Sequence, residues 1–194
     1  MKKLALLLLL TLSFGVSAAE DIELDSAYVN LKDKLSLERG AKHFVTYCLG
    51  CHSAKQIRYK RIALDLGVDE AMVLKEIAPQ GANIYDQLHT AMNAHDAEKW
   101  FGTQPPDLSL IARSRGADWL YTYLKSFYTD ESRPFGVNNK VFPDVAMPNV
   151  LWQLQGEQIA VPHKTLYGEY TKLVLREPGT LSDVEFDRMV SDVV

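Results

Sequence analysis

The chain has 194 residues, 47% of them hydrophobic, with 21 basic against 25 acidic side chains and a formal net charge of −4. That balance argues against nucleic acid and anionic lipid headgroups as partners and is compatible with a basic protein partner. Only two cysteines are present, and both fall within one five-residue segment, so disulfides cannot organise the core.

The first residues read as a secretory leader. Lys2 and Lys3 precede an apolar stretch, Leu4 to Leu12, interrupted only by Thr11, and Ser17-Ala18-Ala19 supplies small residues for cleavage. The stretch is too short for a stable bilayer span of about 20 residues. Residues 1–19 are expected to be a signal peptide and residues 20–194 one domain of ordinary size. Loss of the leader would leave 19 basic and 25 acidic residues, a net charge of −6.

A first amphipathic helix follows. Ser36 is the expected N-cap, and Leu37, Ala41, Phe44, Val45 and Cys48 share one face at helical spacing. The helix leads into Cys48-Leu49-Gly50-Cys51-His52, which reads as a c-type haem attachment site. Two thiols three residues apart can each bond one haem vinyl group, and the next imidazole can bind the iron. A redox dithiol calls for a βαβ context, and a structural zinc site calls for four ligands; neither surrounds this segment.

Further helices are expected at Asp69 to Ile77 and at Ala117 to about Phe127. Pro105-Pro106 lies between them. Arg133 to Gly156 shows little periodicity and is expected to be an irregular loop over a haem face. At the far end, Ser182 and Glu185 form a capping-box pattern ahead of Phe186, Met189, Val190 and Val193 at helical spacing. A helix leading into the haem motif and another at the C-terminus resemble the framework of the c-type cytochromes, and that resemblance implies that the two helices cross, with Gly40 beneath an aromatic. The pattern indicates a mostly α c-type cytochrome fold, with long irregular loops around one covalently bound haem.

The sixth iron ligand sets the chemistry. Met72 and Met189 lie in helical patterns that suit core packing, and Met92 also reads as core. Met147 stands in Asp144-Val145-Ala146-Met147-Pro148, where the proline stiffens a loop able to hold a thioether. His43, His89, His95 and His163 are the alternative donors for a second imidazole. A thioether favours ferrous iron and raises the reduction potential, and six-coordinate iron leaves no open site for oxygen or peroxide. Electron transfer is favoured over substrate chemistry. No Ser/His/Asp or paired-carboxylate constellation is present that would serve a catalytic acid, base or nucleophile.

Several blocks resemble the cytochrome c1 family, proteobacterial type. They are Arg39-Gly40-Ala41, the haem motif with Ser53, Arg58-Tyr59, and Leu64-Asp65-Leu66-Gly67. Pro105-Pro106-Asp107-Leu108-Ser109, Ile111 to Arg115, Ala146-Met147-Pro148 and Leu151 to Gly156 continue the resemblance in the same order. It runs from roughly Leu35 to Val194. The resemblance implies haem c bound through Cys48 and Cys51, His52 as proximal and Met147 as distal ligand, Arg115 on a haem propionate, and Pro105 and Pro106 lining the pocket. It also implies a place in ubiquinol–cytochrome c reductase beside cytochrome b. Electrons would arrive from a Rieske iron–sulfur protein and leave to a soluble cytochrome c or an oxidase. The family ends in a transmembrane helix, while this sequence stops at Val194 inside a helical pattern. A truncated chain is the expectation, its anchor lying beyond residue 194 and its haem domain on the periplasmic face of the inner membrane. A free periplasmic haem carrier is the alternative, and a haem peroxidase or sensor the enzymatic one.

Overall fold

The computed structural model describes residues 23–165 and 168–194; the expected leader lies outside them. The N-cap of helix α1, Lys34–His43, is Asp33, three residues before the expected cap. The Asp33 carboxylate accepts from the amides of Leu35 and Ser36 at 3.1 Å each, occupying orphan donors of the first turn. The Ser36 hydroxyl is engaged elsewhere, donating to Asp192 at 2.6 Å. Helix α1 then widens into a π-helical turn, Phe44–Cys48, that delivers the chain to the Cys-His segment.

Strand β1, Ala54–Arg58, pairs antiparallel with the short β2, Gln87–Leu88. Between them lie helix α2, Tyr59–Leu66, stopped by Gly67 at φ +73°, and helix α3, Glu70–Glu76, whose first turn is capped by Asp69. These elements close a first core around Val73, Ile77, Tyr59 and Leu88. Leu37, Ala41, Phe44 and Val45 of the α1 face pack against it, as their spacing requires.

Helix α4, Ala94–Phe101, and helix α5, Ile111–Arg115, lead to helix α6, Ala117–Lys125. Strands β3, Phe127–Thr129, and β4, Val137–Asn139, form a small ladder, and helix α7 spans Trp152–Gln155. The last helix, α8, Asp183–Val193, carries the expected Ser182–Glu185 capping box. Its Phe186, Met189 and Val190 form a second core with Tyr121, Leu151 and Ala27.

Helices α1 and α8 cross at Gly40, and the atoms nearest a Cβ there are backbone atoms of Asp192 and Val193. A Cβ there would collide with the backbone carbonyl of Asp192, so the two backbones touch directly. The Arg39 guanidinium clasps the Asp192 carboxylate at 2.6 and 2.9 Å, fixing the crossing.

The mostly α expectation is met only as a helical framework. Eight α-helices among the described residues are accompanied by three two-stranded sheets. The largest is a hairpin of β5, Gly156–Thr165, and β6, Gly168–Pro178, running in register from Gly156↔Pro178 to Thr165↔Gly168 with one shift at Glu157/Gln158. Its outer half is exposed, so it shows no alternation of buried and exposed residues, and Pro162, a residue unusual in strands, stands within the first strand opposite Thr171. Both features hide it from sequence periodicity.

Candidate functional site

Cys48, Cys51 and His52 occupy one turn. The amides of Cys51 and His52 both donate to the Cys48 carbonyl, at 3.1 and 2.8 Å. Both thiols are free and half-buried. Burial, with the neighbouring Cys51, pushes the Cys48 thiol up to about 11, and burial raises Cys51 as well. On the adjoining wall the Thr90 hydroxyl donates to the Gly50 carbonyl at 2.8 Å and the Thr90 amide to the Ser53 hydroxyl at 3.0 Å.

The imidazole is oriented from the far side of the sequence. His52 Nδ1 lies 2.8 Å from the Pro106 carbonyl oxygen. A carbonyl can only accept, so Nδ1 carries the proton and Nε2 keeps its lone pair for a metal. The segment Pro105 to Ser109 is in turn laced to the chain after His52. The Leu108 amide donates to the Ser53 carbonyl at 2.8 Å, Asp107 accepts from the Lys55 amide at 2.9 Å, and the Ser109 hydroxyl accepts from the Gln56 amide at 3.0 Å. Pro106, with no N–H of its own, presents only its carbonyl.

The stretch Arg133 to Gly156 is not wholly irregular as expected, since it carries β4 and α7; Met147 is half-buried in the irregular part between them, which a polar network anchors. Asn139, fully buried, donates from Nδ2 to the Tyr123 carbonyl at 2.8 Å and accepts from the amides of Val141 and Phe142 at 2.9 and 3.1 Å. Asn138 accepts from the Asp144 amide at 2.9 Å, and Arg133 pairs with the Asp144 carboxylate at 2.8 Å. Asp144 itself sits at φ +61°, a left-handed conformation held by these contacts. The Met147 sulfur accepts from the Tyr123 hydroxyl at 3.3 Å.

Arg115 ends helix α5 and lies over Trp119 and Phe142, 4.9 and 5.9 Å from the ring centroids. It makes no ion pair with a carboxylate among the described residues, leaving its guanidinium fork available to an external anion. The structure thus ties His52 to Pro106 and Met147 to Tyr123, and brings Arg115 onto the aromatic face beside the latter. Tyr123, Trp119, Asn138 and Asn139 escaped sequence reasoning. The Trp119/Tyr123 spacing of four on one helix was the available signal.

The other candidate ligands are placed differently. Met189 is core, and Met72 packs on the first core. Met92 is half-buried but belongs to neither core cluster. His43 lies beside Tyr47 at 6.1 Å, and burial lowers its pKa. His163 packs on Tyr170 in the exposed hairpin. Among the described residues no cluster of three or more His, Cys, Asp or Glu side chains could hold a bare metal ion.

These residues fit a covalently held haem: paired free thiols, an imidazole with a fixed tautomer, a braced thioether and an arginine without a carboxylate partner among the described residues. Among the described residues the further ligands of a bare zinc are missing, and burial raises both thiols where a redox dithiol needs one lowered.

A model described as the cytochrome C1 family matches residues 26–164. The chain is 48% identical over 196 residues to cytochrome c1 of Allochromatium vinosum, covering 98% of this chain and 80% of that protein. It is 45% identical over 193 residues to a protein of Nitrosomonas europaea named ammonia monooxygenase gamma subunit, covering 100% and 80%. It is 31% identical over 146 residues to the mitochondrial cytochrome c1 heme protein of Neurospora crassa, covering 62% and 44%.

Proposed function

Because the chain belongs to the cytochrome c1 family, we propose that Cys48 and Cys51 would hold its haem c through thioether bonds and that His52 and Met147 would ligate the iron. The family function is haem-based electron transfer in the bc1 complex, and this chain performs it. Bound haem supplies the one-electron ferric–ferrous couple.

The chain's own part is to hold, orient and bias. The Pro106 carbonyl keeps the His52 proton on Nδ1, so the same nitrogen remains a donor to iron in both redox states. The laced segment Leu108 to Ser109 makes that carbonyl a fixed point. The Asn139 network holds the Met147 loop, and a soft thioether held in place raises the potential. Arg115 serves a haem propionate, and Pro105 and Pro106 line the pocket. The observation that carries this reading is the His52–Pro106 bond. It joins the haem motif to the distant Pro-Pro-Asp-Leu-Ser block and leaves the imidazole one free lone pair.

A cytochrome c1 is a membrane-anchored subunit of the bc1 complex, working with cytochrome b and the Rieske protein. Among the described residues no helix is long and apolar enough to cross a membrane. In our reading residues 1–19 export the chain, and residues 20–194 form the haem domain on the periplasmic face. That domain accepts electrons from the Rieske iron–sulfur protein and passes them to a soluble cytochrome c or an oxidase.

Mass spectrometry of the purified native protein tests the cofactor assignment. The polypeptide should exceed its calculated mass by one haem, localised to the peptide holding Cys48 and Cys51, and resist acid–acetone extraction. An extractable pigment would overturn the attachment. Purification with a quinol-oxidising complex tests the assembly.

A further inference from the structure

Residue 123 is a tyrosine whose hydroxyl has a single hydrogen-bonding partner among the described residues, the Met147 sulfur at 3.3 Å. The residue is held at three points. It stacks on Trp119 at 5.1 Å and 7°, meets Phe127 edge-on at 5.3 Å and 64°, and its backbone carbonyl is fixed by Asn139. The hydroxyl is therefore aimed by packing, not by the sulfur, which is a weak acceptor.

We propose that Tyr123 is a positioning residue for the distal ligand: its hydroxyl occupies one lone pair of the Met147 thioether and leaves the other for iron. This rests on Met147 being that ligand. A thioether sulfur carries two lone pairs, so a donor fixed on one selects which of the two sulfur configurations can bind the metal. The same hydrogen bond withdraws electron density from the sulfur. A poorer donor stabilises ferric iron less, so the bond shifts the couple toward the ferrous state and raises the potential. Trp119 links the two groups: Arg115, at the end of helix α5, lies over one end of an aromatic pair on helix α6 whose other member, Tyr123, reaches the sulfur.

The test compares wild-type holoprotein with Tyr123→Phe, which keeps the ring and its stacking and removes only the hydroxyl. Redox titration should show the ferric–ferrous equilibrium shifted about fivefold toward ferric, roughly 40 mV lower for a one-electron couple. The near-infrared sulfur-to-ferric charge-transfer band should remain but move. A shift under twofold, or one toward ferrous, overturns the proposal. Should the variant yield no holoprotein, proton NMR of wild-type ferric protein decides. A slowly exchanging, iron-shifted Tyr123 hydroxyl proton supports the bond, and its absence overturns it. A wild-type protein lacking the charge-transfer band would instead remove Met147 as ligand, a separate failure from an unresponsive Tyr123→Phe.

Discussion

Asn139 Nδ2 donates to the backbone carbonyl of Tyr123 at 2.8 Å, joining the loop that carries Met147 to the end of helix α6. The same side chain accepts from the amides of Val141 and Phe142 and is wholly excluded from solvent. One amide group thus bonds three backbone groups: the Val141 and Phe142 amides depend on it, while the Tyr123 carbonyl also accepts from the Ser126 amide at 3.1 Å.

Asn139→Ala and the size-matched Asn139→Leu should each destabilise the holoprotein by about 3 kcal/mol, since either leaves one carbonyl and two amides without this partner. Denaturant midpoints of the two variants measure it. A large loss for alanine but none for leucine would show that filling the volume, not hydrogen bonding, is what matters.

Gly40→Ala should be severe for so small a change. The added methyl meets the Asp192 carbonyl oxygen, and helix backbones yield poorly, so a cost of about 3 kcal/mol is expected. Gly50→Ala is the control. Nothing lies within 4 Å of a Cβ there, and the change should stay within about 0.5 kcal/mol. Thermal melting of both variants checks the contrast, and equal effects would contradict the crossing.

Asp107 makes the His52 clamp sensitive to acid. Burial pushes its carboxyl up, but hydrogen bonds from Ser109 and the Lys55 amide outweigh that and hold it below the ordinary value. A depressed carboxylate stabilises the fold above its unfolded pKa of about 3.9, and this stabilisation fades as pH falls through the lower folded value. Asp107→Asn should therefore be less stable than wild type at neutral pH by about 1 kcal/mol, a modest figure because the side chain is exposed. The difference should vanish in the acid range below the ordinary aspartate value. Urea midpoints at the two pH values measure it, and a difference that grows on acidification would contradict the sign.

What could be read from the chain follows the range of the interactions. Cys48, Cys51 and His52 are legible because covalent attachment dictates their spacing within one turn. The Ser182–Glu185 box and the Asp69–Ile77 helix are legible because caps and periodicity are local. The cap of α1 fell on Asp33 instead of Ser36 because Ser36 is drawn to Asp192, 156 residues away. The Asn139–Tyr123 bond spans 16 residues and the His52–Pro106 bond 54, and neither leaves a periodic trace. The hairpin of β5 and β6 stayed hidden because a strand exposed over its outer half has no buried face to impose alternation.

Met147 as distal ligand is tested most directly by near-infrared absorption of oxidised holoprotein, wild type beside Met147→His. Wild type should show the weak sulfur-to-ferric charge-transfer band. Met147→His should lose the band and keep its haem on a denaturing gel, with a lower potential, because imidazole favours ferric iron more than thioether does. Persistence of the band in Met147→His, or its loss on substitution of Met92 or Met189 instead, would contradict the assignment.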